Sequence, residues 1–316
     1  MNDHPKIPPS KDHPDVILVE WAKRSGSTDP LCCRVDLLGP PAAGKSTLCK
    51  AIFDTLHEDS MNGWIDLSEA KQRAIRHAFS KAIPKPTART RVFELIRAIK
   101  NFLTAQDGNL EAIPYFSSNF DYLRERMMES FATSHHCFLE ALAEQWHDPD
   151  TPLPPKFERF HLVRQWIKEL LFITSFVGDT KVIADNARLT KGMAELLSNP
   201  RFQNAQKIVS EYCQSPMAPT GIIHLAASVE TVNQRFKQRH KESGRLNPGH
   251  DSRSQTEIAT YTARKNSVNE HAIGFFESQG IAVLNLTAES ELRMNVSQVI
   301  SFLKGLPQKK SINGQA

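Results

Sequence analysis

Several things are missing from this 316-residue chain, and each absence narrows its function. No run of about 18 apolar residues occurs, so no membrane-spanning helix is expected. The first residues, MNDHPKIPPSKDHPD, are polar and Pro-rich and lack the apolar segment of a secretory leader. Charge of one sign is scarce: the formal net charge is +4, which does not point to a nucleic-acid or membrane surface. Cysteine is sparse and odd in number. The five thiols (Cys32, Cys33, Cys49, Cys137, Cys213) fall at no metal-ligand spacing, so free thiols in a reducing cytoplasm are expected. Asn285-Leu286-Thr287 and Asn295-Val296-Ser297 match the glycosylation triplet, but without a leader they read as chance matches.

What remains is ordinary globular composition, 40% apolar and 23% charged, enough for a real core. Four short apolar segments read as buried strands: Arg34–Leu38, Lys181–Asp185, Gly221–Leu225 and Ile281–Leu286. A helical pattern follows each, over Lys45–Leu56, Lys191–Leu197, Val229–Lys241 and Leu292–Leu303. Strand-helix alternation predicts an α/β fold, a parallel sheet with helices on both faces, with Gly63–Leu67 as a fifth strand.

Residues 68–179 differ. Their patterns predict helices over Ser68–Lys81, Arg89–Ala105, Asn119–Trp146 and Phe157–Ile173, a large helical insertion in a core built from 17–67 and 180–306. Asp66 and Glu69 have capping-box spacing at the first of these. Residues 1–16 and 307–316 read as disordered tails.

The most specific signal is Gly39-Pro40-Pro41-Ala42-Ala43-Gly44-Lys45-Ser46, followed by Thr47, which satisfies G-x-x-x-x-G-K-[ST]. Glycines let the backbone turn tightly and approach an anion. Successive amides then converge on phosphate oxygens, and the next helix adds its positive end. In this pattern Lys45 reaches the outer phosphates and Ser46 ligates magnesium. An apolar run leads in and an amphipathic one (Leu48, Ile52, Phe53, Leu56) leads out, the strand-loop-helix context the motif needs.

Signatures of other nucleotide proteins are missing. There is no N/T-K-x-D guanine signature, no Leu-Ser-Gly-Gly signature, and no pair of adjacent acids after an apolar run, since Val182-Ile183-Ala184-Asp185 is followed by Asn186. With KVIADNARL and with GIIHLAAS leading into VETVNQRFKQR, the chain resembles the P-loop kinases of the nucleoside, nucleotide and small-molecule group. The likeness spans roughly residues 31–57 and 180–304 and includes IAVLNLTAESE as the last strand. It implies a P-loop NTPase sheet of five parallel strands, Mg-ATP as phosphoryl donor, and a small-molecule hydroxyl or phosphate acceptor. It makes Asp185 an acid placed to hold magnesium through water or to accept a proton, with capping of the next helix as its alternative task.

The likeness also implies a lid whose Arg235 and Arg239 share a helix face, joined by Arg245 in a polar Gly/Pro-rich loop, to neutralise the transferring phosphoryl group. The helical insertion would then form the acceptor pocket, where a nucleotide-sugar acceptor, as in zeta-toxin-like kinases, stays open. A different class also stays open: a regulatory ATP-binding module that signals to a protein partner through its helices.

Other features read as structural. Asp36 reads as a paired acid within the sheet, and His135-His136 as packing residues. Phe93, Leu95, Ile96, Ile99 and the stripe Trp166, Ile167, Leu170, Leu171, Phe172 read as core. Arg89, Arg91, Arg97 and Lys100 read as a solvated face.

Overall fold

The computed structural model describes residues 32–58, 63–82, 114–146, 153–177, 180–200, 204–243 and 255–306. Five Val-, Ile- and Leu-rich segments form one all-parallel sheet, as runs buried on both faces do. They are β1 (Arg34–Leu38), β2 (Trp64–Asp66), β3 (Lys181–Ala184), β4 (Gly221–Ala226) and β5 (Ala282–Thr287), in the order β2-β3-β1-β4-β5. The register sets Asp36 opposite Ala184 and Leu38 opposite His224. The ends of β1, β3 and β4 therefore share one edge, where ligands meet open parallel sheets.

Among the described residues ten helices cover this sheet: α1 (Lys45–Glu58), α2 (Leu67–Ala82), α3 (Pro114–Ser134), α4 (His136–Trp146), α5 (Leu153–Phe176), α6 (Arg188–Leu197), α7 (Ala205–Gln214), α8 (Val229–Ser243), α9 (Gln255–Ser278) and α10 (Leu292–Gly305). Strand alternation divides the core in two. Val35, Leu37, Ile183 and Ile223 pack on Ile52 of α1, Phe236 of α8 and Leu303 of α10. Leu38, Val182 and Ile222 face the other way, toward Phe131, Phe138, Phe172, Met193, Tyr212 and Phe276 from α3 to α7 and α9. The helical region between β2 and β3 thus shares its core with the sheet. Each fully buried ring anchors it by about 1.5–3 kcal/mol of apolar transfer.

The α/β class, the five parallel strands and the helices on both faces agree with expectation. Asp66 caps α2 by accepting from the Glu69 amide at 2.7 Å. The helix expected over Asn119–Trp146 is instead two, meeting at His135. Thr133 Oγ1 donates back to the Glu129 carbonyl at 3.0 Å, a bond that bends helices. His135 stacks on Phe131, centroids 4.6 Å apart, a packing role.

Helices α7 and α9 were not foreseen. The first is short, with Ile208, Val209 and Tyr212 as its main apolar markers. The second interleaves buried Ile258, Ala272 and Phe276 with polar residues along its length. Asn295, in a glycosylation triplet, is buried and donates to the Thr287 carbonyl at 2.9 Å. The helix over Arg89–Ala105, the cations Arg89, Arg91, Arg97 and Lys100, both tails and Arg245 lie outside the described residues. No helix among the described residues is long and apolar enough to cross a membrane.

Candidate functional site

Residues 39–47 run from the end of β1 into the first turn of α1. Gly39 has φ +148, and a Cβ there would stand 2.3 Å from the Leu225 carbonyl oxygen of β4, so a side chain is excluded. Gly44 has φ +98, and a Cβ would meet Arg235 Nη1 at 2.9 Å. Ala42 also takes a positive φ, 61, unusual for a residue with a Cβ. The loop closes through the Ala43 amide on the Pro40 carbonyl, 3.3 Å, and the Leu48 amide on Gly44, 2.9 Å. Gly39, Pro40, Ala42 and Ala43 are buried, whereas Ser46 and Thr47 are exposed. No acidic residue occupies the first turn of α1, so its positive end has no internal counter-charge there.

Lys45 folds back over this loop, its Nζ donating to the Gly39 and Pro40 carbonyls at 2.8 Å each. Burial, then the charges of Lys191 and Arg239, pull its pKa down to about 7 against the opposing pull of Asp185. Asp185 follows β3, directly beside β1, and Ser46 Oγ lies 3.5 Å from its Oδ2. The cap position of α6 is Ala187, so Asp185 does not cap that helix. Two hard oxygen donors thus meet at the sheet edge, a donor set suited to magnesium.

Of the arginines expected in a lid, the two within the described residues differ. Arg235 lies against the loop: Nη1 donates to the Ala42 carbonyl at 3.3 Å and to that of Ala43, and Nη2 to the Ala288 carbonyl at 3.2 Å. It ties the loop to the turn after β5. Arg239, one turn on, is exposed, and its charge is felt at Lys45. Beside them Glu289 accepts from the Ser228 amide at 2.8 Å and from the Thr287 hydroxyl. Burial opposes ionisation, but these bonds prevail and hold its carboxyl down at about 2.

Beneath this edge a buried network fixes α6 to β1. Arg34 pairs with Asp36 at 2.7 Å and donates to the Met217 carbonyl at 2.7 Å. The Thr190 hydroxyl donates to the Asp36 carboxylate and lies 2.7 Å from the Tyr212 hydroxyl. Asp36 is a structural acid, as its sequence context implied.

A cavity of about 640 Å³ opens beside the loop, with Gly39 and Pro41 at its rim and α5, α6 and α9 as its walls. Trp166, expected in the core, is half-buried and lines it. Lys191, Arg264 and Lys265 also line it, and the sequence reading did not single them out. Lys191 carried a signal, one turn into the helix after the strand-end acid. The other two sit on α9, whose helical pattern was not recognised.

No model of a known protein family matches the chain, and neither does any curated protein sequence.

Proposed function

We propose that the chain is a phosphotransferase with a P-loop kinase fold, moving the γ-phosphoryl group of ATP to a small-molecule hydroxyl or phosphate acceptor. The observation that carries this reading is the 3.5 Å approach of Ser46 Oγ to Asp185 Oδ2 at the head of the glycine loop, next to a partly enclosed cavity. A phosphate loop serves any nucleotide protein. An acid at the end of the neighbouring strand, one residue before a wall of a metabolite-sized pocket that Asn186 lines, is what phosphoryl transfer requires.

In this reading the polyphosphate lies along the amides of residues 39–47, and Lys45 exchanges the Gly39 and Pro40 carbonyls for phosphate oxygens. Magnesium would be held by Ser46 and, through water, by Asp185, supplying charge neutralisation for the phosphates. The acceptor oxygen forms a bond to the γ phosphorus while the bond from that phosphorus to the β–γ bridging oxygen breaks. The electron pair leaves with ADP. A hydroxyl acceptor gives its proton to the Asp185 carboxylate, whereas an ionised phosphate acceptor has none to give. Lys45, Arg239 and Arg245 neutralise the moving charge, and Arg235 holds the loop that positions it.

The test is ATP turnover by the full chain with and without a panel of small hydroxyl and phosphate compounds. Stimulation by one compound is expected, with kcat lowered by about a hundredfold or more in Asp185→Asn. Absence of any heat when Mg-ATP is titrated into the protein would overturn the reading.

A further inference from the structure

The cavity beside the phosphate loop has an unbalanced charge. Arg188, Lys191, Arg264 and Lys265 line it, against a single carboxylate, Glu195. That carboxylate is already engaged by Lys265. Arg188, Lys191 and Arg264 have no side-chain hydrogen bond or ion pair among the described residues. Lys191 stands at the junction with the loop: it is half-buried, and its charge is felt at Lys45. Burial and the charge of Lys265 hold its own pKa below the ordinary lysine value. Several cations gathered around one partly enclosed space are relieved by an anion between them.

Part of the lining is apolar. Trp166 and Val163 from α5, Met193 from α6 and Val268 from α9 face the same space. Leu162, 47% exposed, adds apolar surface to the same lining. The cavity volume suits one metabolite-sized molecule. The network Asp36–Thr190–Tyr212 pins α6 from behind, which fixes the helix carrying Arg188 and Lys191.

We propose that this cavity is the acceptor site, and that its ligand is an anionic small molecule with an apolar or aromatic body. The anion sits against Arg188 and Lys191, and the body lies along Trp166 and Met193. This deepens the reading given above and rests on it for the word acceptor; the anion site itself stands on the cavity alone.

Calorimetry with 1-naphthyl phosphate tests it. The full chain is first saturated with Mg-ADP, so that the phosphate loop is filled and the probe cannot occupy it. The expected result is saturable binding of one probe per chain, weakened by about tenfold or more in both Lys191→Gln and Arg188→Gln, while Mg-ADP affinity stays within about twofold in Arg188→Gln. Neutral 1-naphthol is expected to bind more weakly by a similar factor, and 1-naphthoate reports whether the site takes carboxylate as well as phosphate.

Equal binding of naphthol and naphthyl phosphate, no binding of either, or binding indifferent to both substitutions overturns the proposal. Absence of heat from Mg-ADP indicts the phosphate loop instead. The probe is then titrated into nucleotide-free protein, where the same two substitutions decide the anion site by the same criterion.

Discussion

The protonation of Lys45 should set the pH dependence of nucleotide binding. Its amine is held by two carbonyl dipoles, Gly39 and Pro40, each at 2.8 Å, and by no carboxylate within ion-pair distance among the described residues. Burial and then Lys191 pull its pKa to about 7 in the nucleotide-free protein. At about pH 8, therefore, roughly a tenth of the molecules carry the ammonium. A bound polyphosphate favours the charged form, so binding must draw a proton from solution. The sign follows from linkage: below the free-protein pKa the ammonium is already present and affinity is flat. Above it, affinity falls by about tenfold per pH unit until the pKa of the complex is reached.

Titration calorimetry of Mg-ADP at about pH 8, in two buffers of different ionisation enthalpy, should report uptake of about 0.9 proton per nucleotide bound. Lys45→Met should abolish that uptake. Lys191→Gln should shrink it, because removing the neighbouring charge raises the Lys45 pKa. Heats independent of buffer, with one affinity from about pH 7 to 9, would refute the assignment of Lys45 to the phosphates.

Two further outcomes test the framework of the site. Thr190→Val deletes a donor to the buried Asp36 carboxylate and leaves the Tyr212 hydroxyl short of a partner. It should cost about 1–3 kcal/mol, read as a lower urea midpoint with unchanged slope. Arg235→Lys replaces a fork bridging the Ala42, Ala43 and Ala288 carbonyls with one ammonium that cannot span them, so Mg-ADP affinity should drop by about tenfold in calorimetry.

Local sequence determined a good deal. Residues 39–46 fix much of their own geometry, because the positive φ of Gly39 and Gly44 favours glycine, and the lysine and hydroxyl that follow are set by the start of α1. The four apolar runs read as strands because each is short and continuous and is followed by a helical pattern. Asp66 and Glu69 announced a helix start by their separation alone. These features depend on contacts within a few residues, and a linear pattern can encode them.

Tertiary packing decided the rest. That Asp185 meets Ser46 follows from β3 lying beside β1, a strand order that no short-range pattern states. Arg235 was expected in a lid over the phosphoryl group, and only the assembled fold set it against the Ala42, Ala43 and Ala288 carbonyls. Trp166 looked like core until α6 and α9 left a cavity beside it, lined by cations nearly a hundred residues further along the chain. A residue's type tells what it can bind, but charge and solvation act through space. Which groups face one another is fixed only when the sheet is assembled.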